Sequence, residues 1–154
     1  MIEVKIKTEI LKKSLSILEK VNLGQRGVAD GNYEEQKVGL IGQLTIHDLY
    51  KIDHPNFENN QFDGGYDIII NNKKTDIKTM GRTVDIKDHY VHNFIGLQKN
   101  YANDSYIFCS YNKKRDVIQI CGWINKDEFF KKCSFFKKGV KRYRDDGSYF
   151  NTKT

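Results

Sequence analysis

Near Phe62 the apolar residues change period, and this change constrains the fold more than any other feature of the sequence. Upstream they recur at helical spacing: Ile10, Leu11, Leu15, Leu18 and Val21 after Thr8-Glu9, then Val38, Leu40, Ile41, Leu44 and Leu49 after Asn32. Residues three and four apart share one face of a helix, so each set marks a buried stripe. A first helix is expected from about Thr8 to Asn22, and a second, capped by Asn32, that stops near Pro55, the only proline. The segment Leu23 to Gly31 holds three glycines and reads as the loop between them. Its Gly24-Gln25-Arg26-Gly27 has no following lysine to complete a phosphate loop.

Downstream, Tyr66 to Ile70 and Thr75 to Thr79 are β-rich runs joined by the polar Asn71-Asn72-Lys73-Lys74, a hairpin pattern. Tyr90 to Leu97, Ser105 to Tyr111 and Val117 to Trp123 read as three more strands, with Asn112 to Asp116 turning a second hairpin and Lys126 to Lys132 forming a short helix. Met1 to Lys7 alternates and fits a short strand or an arm, while the polar, aromatic tail from Lys137 is given no element. Two helices, five strands and a short helix within 154 residues make one domain of the α/β (α+β) class, a sandwich with a mixed central sheet flanked by helices.

Three D/E-x-K triplets occur: Glu3-Val4-Lys5, Asp76-Ile77-Lys78 and Asp85-Ile86-Lys87. A lone triplet carries almost no information, so context must choose. Only Asp76-Ile77-Lys78 sits on the second strand of a hairpin whose first strand opens with another carboxylate, Asp67, after Gly64-Gly65. Strand residues two apart share a face, so Asp76 and Lys78 point together while Ile77 points away. A turn at Asn71-Asn72 sets Asp67 opposite Asp76, and a turn at Asn72-Lys73 sets it opposite Lys78. Both registers gather the three side chains on one face. Two carboxylates held that close repel one another unless a cation lies between them, and hard oxygen ligands suit Mg²⁺ or Mn²⁺. A metal there, with Lys78 beside it, has what phosphodiester hydrolysis needs: an activated water, a Lewis acid and charge stabilisation. The plainer alternative is a solvated hairpin face with a cross-strand ion pair.

The segment Gly64 to Thr79, GGYDIIINNKKTDIKT, resembles the core of the PD-(D/E)XK nuclease superfamily, in which an Asp enters one strand and a D-x-K follows on the next. The helix GLIGQLTIHDLY at Gly39 to Tyr50 is similar to the superfamily's N-terminal helix, and IQICGWINKDEF at Ile118 to Phe129 resembles a late strand-and-helix segment of small phage and bacterial members. The resemblance covers about residues 33 to 130. It implies a restriction-endonuclease-like sandwich and a Mg²⁺-dependent (or Mn²⁺-dependent) deoxyribonuclease, with Asp67 and Asp76 on the metal and Lys78 positioning or activating the water. Where that helix often carries a metal-linked Glu, this chain has Gln43, whose amide oxygen would have to serve, or Glu35 and Glu34 earlier on the helix. Glu35 is the expected third metal ligand.

The formal net charge is +6, and residues 126 to 144 carry all of it, with eight Lys/Arg against Asp127 and Glu128. Such a basic segment fits a polyanion, and the basic aromatic stretch 126–150 is read as nucleic-acid-binding, the expected contacts being Lys131, Lys132, Lys137, Lys138, Lys141, Arg142 and Arg144. A solvated amphipathic face is the competing reading. Cys109, Cys121 and Cys133 never form a C-x-x-C pair and are taken as buried, reduced thiols. His89 and His92 have no third soft ligand nearby in sequence and read as exposed or core histidines. No apolar run is long enough to span a membrane and the first residues do not resemble a signal peptide, so a cytoplasmic protein of a bacterial or phage-infected cell is expected. A homodimer would suit double-strand cuts. The rival readings are a catalytically inactive nucleic-acid-binding module of the same fold, motivated by Gln43, and a small phage-type inhibitor or interaction protein.

Overall fold

A computed structural model describes residues 1–23, 31–57 and 65–152. Most of the Leu23 to Gly31 loop, including Gly24 to Gly27, and the first of the paired glycines, Gly64, lie outside the described residues. The elements run β1 (Ile2–Lys5), α1 (Thr8–Lys20), α2 (Tyr33–Leu49), β2 (Ile68–Ile70), β3 (Lys73–Arg82), a 3₁₀ turn (Gly96–Asn100), β4 (Ser105–Asn112), β5 (Val117–Asn125), α3 (Lys126–Lys132), β6 (Lys141–Tyr143) and β7 (Tyr149–Asn151). The five-stranded sheet has the order β1-β5-β4-β3-β2, and β6 and β7 pair separately. The sheet is mixed: β3 and β4 are parallel, the other pairs antiparallel. The fold is thus mixed α/β, and among the described residues no helix is long and apolar enough to cross a membrane.

Helices α1 and α2 cover one face. Ile10, Val38, Ile41 and Leu44 join Ile77, Ile107, Cys109 and Ile118 in a single buried cluster. Contact is closest where α2 crosses β3: a Cβ on Gly42 would lie 1.9 Å from the Thr79 hydroxyl, so only glycine lets the helix sit this low. The start of α2 is a full capping box, with the Asn32 side chain accepting from the Glu35 N–H and the Glu35 carboxylate accepting from the Asn32 N–H.

The helix stops before Pro55, and for a different reason from the one expected. The Ile52 N–H reaches the His47 carbonyl at 2.9 Å and the Lys51 N–H the Asp48 carbonyl at 3.1 Å, a Schellman closure with Lys51 in the left-handed region at φ 55°. Glycine adopts that conformation without a Cβ penalty. Lys51→Gly is therefore expected to stabilise the fold by about 0.5–1 kcal/mol, read as a higher denaturant midpoint at unchanged slope.

The strand expected at Tyr90 to Leu97 is not a strand. Because β3 pairs directly with β4, no slot between them remains for it. Its alternation is nonetheless used: Tyr90, His92 and Phe94 are partly buried while Val91 and Asn93 are exposed, as the extended segment crosses the sheet face opposite the helices. There Arg82 lies 5.0 Å from the Tyr90 ring centroid, and the His92 ring meets the Cys109 carbonyl at 2.9 Å. Of the cysteines only Cys109 is buried; Cys121 and Cys133 are exposed, against expectation. Cys121 is the extra residue of the β-bulge in β5, between Ile120, opposite Cys109, and Gly122, opposite Phe108.

Candidate active site

The β2–β3 hairpin turns on Asn71 and Asn72, at φ 49° and 62°. Asparagine tolerates the left-handed region, and a two-residue turn with both residues there suits the twist of the strands it joins. The register Ile68↔Thr75, Ile69↔Lys74, Ile70↔Lys73 follows, and continuing it places Asp67 opposite Asp76. The Asp67 N–H donates to the Thr75 carbonyl at 2.9 Å, and its Oδ2 accepts the Ile77 N–H at 2.7 Å. Asp67 thereby continues the edge pairing of β3 with a carboxylate, just where β2 begins.

Asp76 is buried, 6% exposed, and its Oδ2 lies 2.7 Å from Lys78 Nζ. Asp67 and Asp76 meet side chain to side chain. Burial pushes the Asp67 carboxyl well above the ordinary carboxylate range, the Asp76 charge and the hydrogen bond between them push the same way, and Lys78 and the Ile77 N–H only partly oppose them. Asp67 thus holds a proton more readily than a solvent-exposed aspartate does, even with Lys78 in place.

The same sheet face carries an aromatic cluster. Tyr106 and Phe108 on β4 are the register neighbours of Asp76 and Lys78. Phe94, from the crossing segment, lies 5.8 Å from Lys78 Nζ and 5.2 Å from the Tyr106 ring, and Phe129 of α3 packs 5.2 Å from Tyr106 and 5.3 Å from Phe108. Burial raises the Tyr106 phenol above its ordinary value, and the Asp76 charge adds to that. Apolar walls of this kind strengthen charge interactions by excluding water.

Glu35 is not brought to this site: it is engaged in the capping box at the start of α2, one turn before Val38, which meets Gly81 at the far end of β3. Gln43 follows Gly42, which packs on Thr79 of the sheet face opposite Asp76 and Lys78, while His47, one turn further along α2, meets the Asp67 backbone. Glu34 is ion-paired with Lys113 at 2.8 Å. Among the described residues no group of three His, Cys, Asp or Glu is poised to hold a metal, so the donor set here is the two carboxylates. That set still fits Mg²⁺, which keeps several waters and takes one or two carboxylates plus substrate phosphate oxygens. The other two triplets are engaged elsewhere: Arg115 binds both Glu3 and Asp85, with 2.7 Å to Asp85 Oδ1.

The expected nucleic-acid contacts divide. Lys131 lines an open cleft with Lys99, Lys126 and Phe130, at the end of the sheet where β3 begins, since the Lys126 N–H bonds to Asp104 and the Asp104 N–H to Lys74. Sequence reasoning missed Lys99; Lys126 opens the basic stretch read from the sequence but was not among the contacts named there. Lys132 is ion-paired with Glu128 at 2.6 Å, and Lys137 and Lys138 are exposed. Lys141 lies 4.5 Å from the Tyr149 ring; Arg142 stacks on Phe136 at 4.4 Å and bonds to Asn93; Arg144 bonds to Ser148 and lies 4.9 Å from Phe150. His89 is exposed, 3.7 Å from Asp145.

No family model matches the chain, and no curated protein or solved structure matches it.

Proposed function

We propose that this protein is a Mg²⁺-dependent nuclease with a restriction-endonuclease-like sandwich, hydrolysing phosphodiester bonds in nucleic acid, with DNA the first substrate to test. One observation carries the reading: two contacting carboxylates, one of them pushed to hold its proton, beside an ammonium group on the same strand. Asp67 and Asp76 would hold Mg²⁺ or Mn²⁺, which when bound supplies a Lewis acid for the phosphate and acidifies a water. The Ile77 N–H fixes the Asp67 carboxylate, so the oxygens are aimed before any ligand arrives. Lys78 offers its N–H groups to a phosphate oxygen or to the attacking water, its ammonium lying over the Phe94 ring. Lysines of the cleft would neutralise flanking phosphates.

The test is incubation with supercoiled, linear and single-stranded DNA in Mg²⁺, Mn²⁺ or EDTA. Divalent-dependent nicking is expected; no cleavage under any of these conditions would remove the enzymatic reading. A second reading, a nucleic-acid-binding module without cleavage, is favoured by one specific observation, the engagement of Glu35 in its own helix cap away from the carboxylate pair, and the same plasmid experiment separates the two. Lys78→Met is expected to lower kcat by about 10²-fold or more while KM moves only a few-fold, because the ammonium acts on charge that develops in the transition state. A change confined to KM would make Lys78 a ground-state phosphate contact instead.

A further inference from the structure

The hairpin of β6 and β7 has two unlike faces. Its register pairs Arg142 with Phe150 and Tyr143 with Tyr149. The Arg142/Phe150 face docks: Arg142 stacks on Phe136 and Phe150 and bonds to Asn93 Oδ1 at 3.0 Å, in the segment whose next residue, Phe94, lies over Lys78. Among the described residues the other face is left exposed. Tyr143 is 70% and Tyr149 53% exposed, their ring centroids 6.0 Å apart, with Lys141 Nζ 4.5 Å from the Tyr149 ring. Residues 137 to 152 carry five cations against Asp145 and Asp146, and Asp146 is occupied by Ser148.

We propose that this outward face is a stacking platform for single-stranded nucleic acid, holding unpaired bases on Tyr143 and Tyr149 while Lys141 and its neighbours meet the phosphates. This rests on the nuclease reading and narrows its substrate to single-stranded or locally unpaired strands. Bases within a duplex hide their faces between neighbours, so ring stacking rewards only an unpaired strand, whereas lysine contacts reward both. The hairpin is already anchored through Arg142 and Phe150, so the exposed rings are not what docks it. Its attachment to the Phe94 segment puts the platform on the same side of the sheet as Asp76 and Lys78.

The experiment measures anisotropy of labelled oligothymidylate, oligouridylate and a DNA duplex in EDTA, with wild type, Tyr143→Val/Tyr149→Val and Tyr143→Phe/Tyr149→Phe. Valine keeps strand propensity and so preserves the hairpin while removing the π faces. Stacking contributes roughly 5- to 150-fold in affinity per base, so the valine variant is expected to lose at least about tenfold on the single strands and nothing on the duplex. The phenylalanine variant is expected to bind as wild type. Equal losses on single strands and duplex, or no loss at all, would overturn the platform, and with wild-type binding and cleavage intact the nuclease reading would stand. Transfer of the tyrosine dependence to phosphatidylserine vesicles, with single-strand binding unmoved, would overturn it in favour of a membrane surface. Wild type that binds none of the nucleic acids would sink the platform and the nuclease reading together.

Discussion

Asp76→Ala is expected to lower cleavage by about 10²–10³-fold or more while leaving nucleic-acid binding equal or slightly tighter. The carboxylate contributes nothing favourable to a polyanion directly; its removal deletes one negative charge and, on the proposed nuclease reading, a metal ligand at once. Lys78 loses its 2.7 Å partner in the variant and is freed toward the phosphate, which again favours binding over turnover. The matched control is Asp85→Ala, whose carboxylate is engaged by Arg115 and Asn112 away from the β2–β3 hairpin and whose loss is expected to leave cleavage within a few-fold. Single-turnover cleavage and equilibrium binding of the two variants measure the contrast. Joint loss of binding, folding and cleavage in Asp76→Ala would assign Asp76 to structure, and an inactive but folded Asp85→Ala would mean that the chemistry belongs to a different triplet.

The hairpin was legible because its signal is local. Asn71-Asn72 supplies a turn that few other dipeptides tolerate, and the side-chain period of two then leaves Asp67, Asp76 and Lys78 no choice of face whichever register forms. The Asn32 cap was legible for the same reason, its partner Glu35 lying three residues on. That capping role is also what hid Glu35's placement: an acid at the start of a helix can be consumed by its own helix terminus. The Tyr90 to Leu97 segment misled because alternation reports one buried side, and an extended chain laid across a sheet face produces it as readily as a paired strand does. The tail hairpin was missed because its strands are three residues each, too short for a period, although Asp146-Gly147 between Tyr143 and Tyr149 is a turn signal and Gly147 does take a φ of 82°. Lys99 was beyond reach, since its meeting with Lys126 depends on how the chain returns to β4 after crossing the sheet.

Asp67→Asn is expected to stabilise the metal-free protein at neutral pH and to abolish its activity together. The folded state holds the Asp67 proton more tightly than the unfolded chain does, because burial and Asp76 both oppose its charge. A group with a raised folded pKa gives its full stability below the ordinary aspartate value of about 3.9 and loses it as pH climbs through the raised value. Asparagine imitates the protonated form: its carbonyl oxygen can still accept the Ile77 N–H, and its amide can donate to Asp76. The variant therefore escapes the loss, with a gain of about 1–3 kcal/mol near neutrality, the usual scale for relieving an ill-satisfied buried polar group, that shrinks as the pH is lowered toward 4. Mg²⁺ separates this from an unrelated packing effect, since a ligand that binds only the folded state raises its melting temperature by mass action. Wild type should gain melting temperature with added Mg²⁺ or Mn²⁺, and Asp67→Asn, which lacks the second anionic ligand, should gain little. Melting curves across pH with and without the cation read both effects. A variant less stable than wild type at neutral pH, or a wild type indifferent to both cations, would show that the two carboxylates are balanced by Lys78 alone and hold no metal.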